Sequence, residues 1–184
     1  MTTGILLSGF GGQGVMSAGK FLAHAALHEN KYSIFLPSYG AEVRGGTAYC
    51  SVKISDAPIN SPLIDNPDIA IILNQPSLDR FEAQLPRGCL VIVNTDLTQR
   101  KVSRKDVTVI ELPLNTLAIQ CGNIKTANVI ALGALLACKP IFKKATLVGL
   151  IKEMLSSQDL IRQNLAALDS GLTYLKENKK GAQC

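Results

Sequence analysis

A glycine-rich segment near the N-terminus is the feature that most constrains the fold of this chain. Residues 9–14 are Gly-Phe-Gly-Gly-Gln-Gly, which fits the pattern Gly-x-Gly-x-x-Gly. They follow an apolar run over residues 4–8 and precede apolar residues at helical spacing over residues 13–27. Glycines permit a tight strand-to-helix turn, and the first N–H groups of the helix attract an anion. The segment predicts a Rossmann-like βα unit, whose turn either binds an anionic ligand or serves only as a tight connection.

The rest of the chain alternates strand and helix patterns before becoming helical. Apolar runs predict strands over residues 32–36, 69–73, 89–93 and 107–112. An alternating run over residues 47–55 predicts a half-buried strand, at an edge of the sheet or antiparallel to its neighbours. Helices are predicted over residues 13–27, 75–85, 126–138, 143–156 and 159–176.

This order predicts an α/β fold, a Rossmann-like three-layer sandwich with a mostly parallel sheet and a helical C-terminal third. We expect one domain over residues 1–184, with the sheet core over 1–112 and covering helices over 113–180.

Composition argues against a membrane protein and a nucleic-acid-binding protein. The longest nearly apolar stretch, residues 127–138, is shorter than the roughly 20 residues that a membrane span needs. The first residues lack the basic start of a secretory signal, so we expect a cytoplasmic location. Tryptophan is absent and aromatics make up 5% of the chain, which offers no stacking platform for nucleic acid. The net charge of +5 suits an anionic ligand or an acidic partner protein.

The cysteines and histidines do not form a recognisable metal site. There are five cysteines but no Cys-x-x-Cys pair, so the sequence lacks the local cysteine spacing that is typical of a zinc ribbon or an iron–sulfur cluster. His24 and His28 stand four residues apart without the glutamate of a His-Glu-x-x-His motif. We therefore predict no metal ligands, and we expect Cys50, Cys89 and Cys138 to behave as small buried apolar residues.

Two familiar nucleotide motifs fit poorly. A dinucleotide site needs an acidic residue at the end of the second strand, where this chain has Phe35-Leu36-Pro37-Ser38-Tyr39. Glu29 precedes that strand and is expected to end the first helix. Residues 14–20 resemble a P-loop, but Phe21 stands where Mg²⁺ binding requires Ser or Thr. An NAD-dependent enzyme is thus disfavoured, and an ATPase is rejected.

A second glycine-rich segment, residues 37–47, follows the second predicted strand. In a parallel sheet it lies at the same edge as the first glycine segment, and it supplies hydroxyls, a carboxylate and the guanidinium of Arg44. Two such loops at one edge predict a binding site, although solvated loop charges and simple turns would give the same pattern. The candidate binding residues are Gly9, Gly11, Gly12, Gln13, Gly14, Ser38, Tyr39, Glu42, Arg44, Gly45 and Gly46.

Both loops closely resemble the gamma subunit of 2-oxoacid:ferredoxin oxidoreductases. The resemblance extends to Val52-Lys53-Ile54-Ser55, Asn74-Gln75-Pro76 and residues 128–134. Within that family the chain looks most like the 2-oxoglutarate type, with pyruvate and ketoisovalerate types as close relatives. The resemblance implies an accessory subunit of an enzyme that oxidatively decarboxylates a 2-oxoacid to an acyl-CoA and reduces ferredoxin.

The resemblance also implies how cofactors are divided among subunits. Thiamine diphosphate and iron–sulfur clusters belong to the partner alpha, beta and ferredoxin-like subunits, and coenzyme A is the ligand that the two loops could contact. Alternatively, Gln13, Tyr39 and Glu42 position the loops at a subunit interface. We assign no catalytic residue to this chain. The alternative function is a stand-alone nucleotide- or CoA-binding regulatory module.

Overall fold

The computed structural model describes residues 2–38 and 47–177, and the strands of that part of the chain form one six-stranded sheet. The strands are Thr2–Phe10 (β1), Tyr32–Ser38 (β2), Thr47–Ser55 (β3), Ile69–Ile72 (β4), Leu90–Asn94 (β5) and Thr108–Leu112 (β6). Their order across the sheet is β2-β3-β1-β4-β5-β6. Strands β1, β4, β5 and β6 pair in parallel, which confirms the predicted mostly parallel sheet.

Strand β3, the alternating run of the sequence, lies inside the sheet rather than at its edge. It pairs antiparallel with both β1 and β2, so of the two alternatives the antiparallel one is correct. Cys50, Val52 and Ile54 point to the buried face, as the alternation predicts. Strand β2 lies at one edge of the sheet and continues through Pro37. Edge strands tolerate proline because one row of their N–H groups needs no partner.

Helices cover both faces of the sheet, with most of them on one side. They are Val15–His28 (α1), Gln75–Phe81 (α2), Leu114–Gln120 (α3), Ala127–Cys138 (α4), Lys144–Met154 (α5) and Gln158–Glu177 (α6). Helices α1 and α3 to α6 share one apolar core with the sheet, whereas α2 packs with the opposite face in a smaller core. The helix predicted over residues 75–85 is shorter than expected, because a 3-10 turn over Glu82–Gln84 follows α2.

Helix α4 is the central helix of the larger layer. Its residues from Ala127 to Leu136 are buried all round, since α4 lies between the sheet and α6. Gly133 of α4 and Gly171 of α6 face each other, and a Cβ at Gly133 would lie 2.3 Å from the Leu168 carbonyl oxygen. Apolar composition in α4 therefore reflects burial within the protein. Within the described ranges, no helix is both long and apolar enough to cross a membrane.

Candidate anion-binding site

The first glycine segment forms the turn between β1 and α1. Strand β1 continues through Gly9 and Phe10, beyond its predicted end, and α1 begins at Val15. Gly12 and Gly14 have φ of +93° and +74°, a left-handed conformation that disfavours other residues. A Cβ at Gly14 would also lie 2.4 Å from the side-chain nitrogen of Asn128 in α4. Glycine at position 14 is thus required both by the backbone conformation and by the packing of α4 against the turn.

The side chain of Gln13 is tied to the end of β4. Its Oε1 accepts hydrogen bonds from the Phe10 N–H at 2.5 Å and from Asn74 Nδ2 at 3.1 Å. Its Nε2 donates to the Leu73 carbonyl at 3.4 Å. Gln13 therefore joins the glycine turn to the connection between β4 and α2 within this chain.

The start of α1 presents main-chain N–H groups at this turn. Gly14 is the N-cap residue, and within the described ranges no side chain caps the helix. Asn128 Nδ2 instead donates to the Gly14 carbonyl at 2.9 Å, which fixes the direction in which α1 leaves the turn. The uncapped N–H groups and the helix dipole make this end of α1 attractive to negative charge.

A cleft of about 440 Å³ opens beside the turn, over the carboxyl ends of β1, β4 and β5. Strand order reverses here, because the chain runs from β1 to β2 and β3 on one side of β1, whereas β4 lies on the other side of β1. Ligand clefts in open α/β sheets usually lie at such a point. Phe10, Leu97 and Ile124 form partly exposed apolar walls, 37%, 36% and 53% exposed respectively. The remaining lining residues are Gly11, Gly12, Gln13, Leu73, Asn94, Asn115, Lys125 and Ala127.

Hydrogen bonds fix the orientation of the two asparagine amides in the cleft. Asn94 Oδ1 accepts from the Leu114 N–H at 3.1 Å, so its Nδ2 faces Leu73 and Asn115. That nitrogen donates to the Leu73 carbonyl and to Asn115 Oδ1, each at 3.1 Å. With its oxygen engaged, Asn115 has its NH₂ group to offer to the cleft. Together with the exposed Lys125, this gives the cleft donors and positive charge, which suit an anionic ligand rich in hydrogen-bond acceptors.

The predicted site residues occupy different positions around this cleft. Gly11, Gly12 and Gln13 line it, whereas Gly9 and Gly14 pack against Gln13 and Asn128 and support the turn. Ser38 lies at the end of β2 and is separated from β1 by β3, on the side away from the cleft. The predicted residues Tyr39, Glu42, Arg44, Gly45 and Gly46 lie outside the described residues.

Sequence reasoning missed Asn94, Leu97, Asn115, Ile124 and Lys125 as lining residues. One signal was present, because Asn74 and Asn94 each end an apolar run that forms a parallel strand. Polar residues at the carboxyl ends of neighbouring parallel strands meet at one edge of the sheet. No local pattern marks Lys125, which reaches the cleft through the packing of α3 and α4.

Glu29 has a structural role. It caps the C-terminus of α1, as predicted, and its Oε1 accepts from the Lys143 N–H at 2.7 Å and the Thr146 hydroxyl at 2.6 Å. The carboxylate thus holds the start of α5, away from the glycine turn. It does not supply the acidic group of a dinucleotide site.

A sequence model of the pyruvate ferredoxin/flavodoxin oxidoreductase family matches residues 4–174. The 2-oxoglutarate synthase subunit KorC of Methanocaldococcus jannaschii is 36% identical, with 94% of each chain covered. The ketoisovalerate oxidoreductase subunit VorA of Methanothermobacter thermautotrophicus is 34% identical over 96% of this chain, and the chain spans 37% of that relative's length.

Solved structures with the same fold agree with these relatives. A keto/oxoacid ferredoxin oxidoreductase gamma subunit from Geobacter sulfurreducens is 27% identical, with a TM-score of 0.83 over 95% of this chain and 99% of that one. The 2-oxoglutarate:ferredoxin oxidoreductase of Magnetococcus marinus, solved with 2-oxoglutarate, coenzyme A and succinyl-CoA bound, has a TM-score of 0.87 at 21% identity. There the match covers 99% of this chain and 32% of the other, and it is a likeness of fold.

Proposed function

The chain belongs to the pyruvate ferredoxin/flavodoxin oxidoreductase family, and we propose that it is the gamma subunit of a 2-oxoacid:ferredoxin oxidoreductase. The whole enzyme would oxidatively decarboxylate a 2-oxoacid to an acyl-CoA and pass the electrons to ferredoxin. The observation that carries the proposal is the family match over residues 4–174, supported by a separate gamma subunit of the same fold and nearly the same extent.

The role proposed for this chain is to bind coenzyme A. When bound, coenzyme A supplies the thiol that accepts the acyl group. Lys125 would neutralise phosphate charge, and the Asn115 amide and the N–H groups at the start of α1 would donate hydrogen bonds to phosphate oxygens. The apolar walls at Phe10, Leu97 and Ile124 suit the less polar parts of such a ligand. This role uses binding and orientation and assigns no proton or electron transfer to the chain.

The redox chemistry is proposed to lie in partner alpha, beta and ferredoxin-like subunits, which would hold thiamine diphosphate and the iron–sulfur clusters. Among the described residues, no three His, Cys, Asp or Glu side chains lie together as metal ligands. Cys50 and Cys89 are buried in separate cores, so they offer no joint ligand set for a cluster.

We place 2-oxoglutarate first among the substrates to be tested. The relative described as a 2-oxoglutarate synthase subunit matches over nearly the whole of both chains, whereas the ketoisovalerate relative is much longer.

The direct test is purification of the tagged chain at its native level from its source cells, followed by mass spectrometry and assay. We expect partner chains with a thiamine-diphosphate domain and a cluster-bearing ferredoxin-like chain. The complex should reduce ferredoxin only when a 2-oxoacid and coenzyme A are both present, and a panel of 2-oxoglutarate, pyruvate and ketoisovalerate then identifies the substrate. Recovery of the chain without such partners would reject the subunit role in favour of a stand-alone binding module.

The role of the cleft is tested separately in the complex. Lys125→Ala should raise the KM for coenzyme A roughly tenfold, with little change in the KM for the 2-oxoacid, because one phosphate loses its positive partner. Lys152→Ala is the matched control, since Lys152 is an exposed lysine on α5 and does not line the cleft. Equal KM values for coenzyme A in the two variants would remove Lys125 from the proposed site.

A further inference from the structure

We propose that Asn74 is a positioning residue, which holds the glycine turn in place through Gln13. Asn74 is fully buried and follows β4, at the start of α2. It has no place among the lining residues of the cleft. Any influence on a ligand must therefore pass through its neighbours, and Gln13, which does line the cleft, is the neighbour in contact with the turn.

The direction of each hydrogen bond in this connection is determined. The Ser77 N–H donates to Asn74 Oδ1 at 2.9 Å, so the amide nitrogen of Asn74 faces Gln13. Gln13 must then present its oxygen, and the same oxygen accepts the Phe10 N–H. The connection thus begins at the first turn of α2 and ends at the last residue of β1, and Gln13 cannot rotate its amide without losing a bond.

The substitution Asn74→Asp separates the two functions of this residue. A carboxylate still accepts the Ser77 N–H, and aspartate is as good an N-cap residue as asparagine. It has no N–H to give to Gln13. If the Gln13 amide flips to donate to the carboxylate, its NH₂ group then faces the Phe10 N–H, and that bond is lost instead. Helix α2 should therefore stay capped, while the glycine turn loses one of the two hydrogen bonds that Gln13 Oε1 accepts, from Asn74 or from the Phe10 N–H.

The inference rests on the proposed function where it concerns coenzyme A, but its first readout does not. In the purified complex, hydrogen exchange in the peptide that contains Phe10 should be roughly tenfold faster in Asn74→Asp than in wild type, because the bond that protects this amide weakens. The peptide that contains α2 should keep its wild-type exchange. Asn164→Asp is the charge-matched control on α6, where the side chain donates to the Leu160 carbonyl in a solvent-exposed hydrogen bond.

Enzyme kinetics are the second readout. We expect Asn74→Asp to raise the KM for coenzyme A roughly tenfold with kcat within about threefold, since a displaced turn weakens binding and leaves the chemical step to the partner subunits. A merely structural role would lower the amount of active enzyme and leave this KM unchanged. Gln13→Ala should give the same two results with Asn74 intact, and the double variant should be no worse than either single variant.

The outcomes separate this inference from the proposed function. If the wild-type complex does not reduce ferredoxin when a 2-oxoacid is added, the proposed function is rejected. The hydrogen-exchange measurement then decides by itself whether Asn74 is a positioning residue. Unchanged exchange at Phe10 in Asn74→Asp, or additive effects in the double variant, overturns the inference. Gln13→Glu keeps an acceptor for the Phe10 and Asn74 bonds and loses only the long donation to the Leu73 carbonyl. It should therefore keep near-wild-type exchange at Phe10, and faster exchange there also counts against the inference. If Asn74→Asp does not fold, Gln13→Ala and Gln13→Glu provide the same test.

Discussion

Replacing Gly171 with alanine should force helices α4 and α6 apart. A Cβ at this position would lie 2.0 Å from the Ile130 carbonyl oxygen and 2.9 Å from the Ala134 nitrogen. Ordinary van der Waals contact begins at 3.4 Å. The opposing atoms belong to the backbone of a buried helix, so they cannot rotate away as a side chain could. The helices must therefore separate by roughly 1 Å along a closely packed interface.

The expected loss of stability follows from two opposing terms. Alanine is favoured over glycine inside a helix by about 1 kcal/mol. Overpacking of a well-packed core costs about 1–3 kcal/mol, and backbone-to-backbone contact places this site near the upper end of that range. We therefore expect Gly171→Ala to lower the free energy of unfolding by about 2 kcal/mol.

Gly149→Ala is the matched control, because it is the same substitution in a helix with nothing near the new methyl group. Gly149 lies exposed on α5, and within the described ranges no atom beyond its chain neighbours and its own helix backbone comes within 4 Å of its Cβ position. This variant should gain about 0.5–1 kcal/mol. Urea unfolding of both purified variants, followed by far-UV circular dichroism, measures the midpoint and slope of each transition. A Gly171→Ala variant as stable as Gly149→Ala would refute the close contact between α4 and α6.

Three further predictions concern other sites. Gly14→Ala should destabilise the chain by about 2–3 kcal/mol in the same unfolding assay. The alanine would have to adopt a left-handed backbone conformation, and its methyl group would also clash with Asn128. Wild-type stability would contradict this prediction. Burial raises the pKa of the Cys50 thiol to about 12, so iodoacetamide at pH 8 should leave it unmodified until urea unfolds the chain, as mass spectrometry of the labelled peptide will report. Burial would raise the pKa of Glu82, but hydrogen bonds from Arg100 and Ser103 outweigh it and lower that pKa below its ordinary value of 4.5. The ionised Glu82 carboxylate therefore stabilises the fold above about pH 4.5, and this stabilisation is lost as the pH falls below that value. Glu82→Gln should have a lower free energy of unfolding than wild type at pH 7, and the difference between the two should shrink toward pH 3. A difference that does not change with pH would contradict this role of Glu82.

The glycine turn of the candidate site could be placed from the sequence because its elements are local. The glycine turn, the preceding strand and the following helix all fall within a short stretch, so periodicity and backbone sterics predict them together. The role of Gln13 could not be predicted in the same way. Its partner Asn74 is 61 residues away in the chain, and which atoms of the two amides meet depends on how β1 and β4 pair.

The amino-acid sequence by itself determined the alternation of strands and helices, the mostly parallel sheet and the glycine turn, because these depend on residue periodicity and on local backbone freedom. Tertiary structure alone decided that β3 lies between β1 and β2, that Gly133 meets Gly171, and that Lys125 reaches the cleft. Those features depend on contacts between residues far apart in the chain, as between Gly14 and Asn128, which are 114 positions apart. Such contacts are selected by the packing of whole elements, and no short stretch of sequence contains that information.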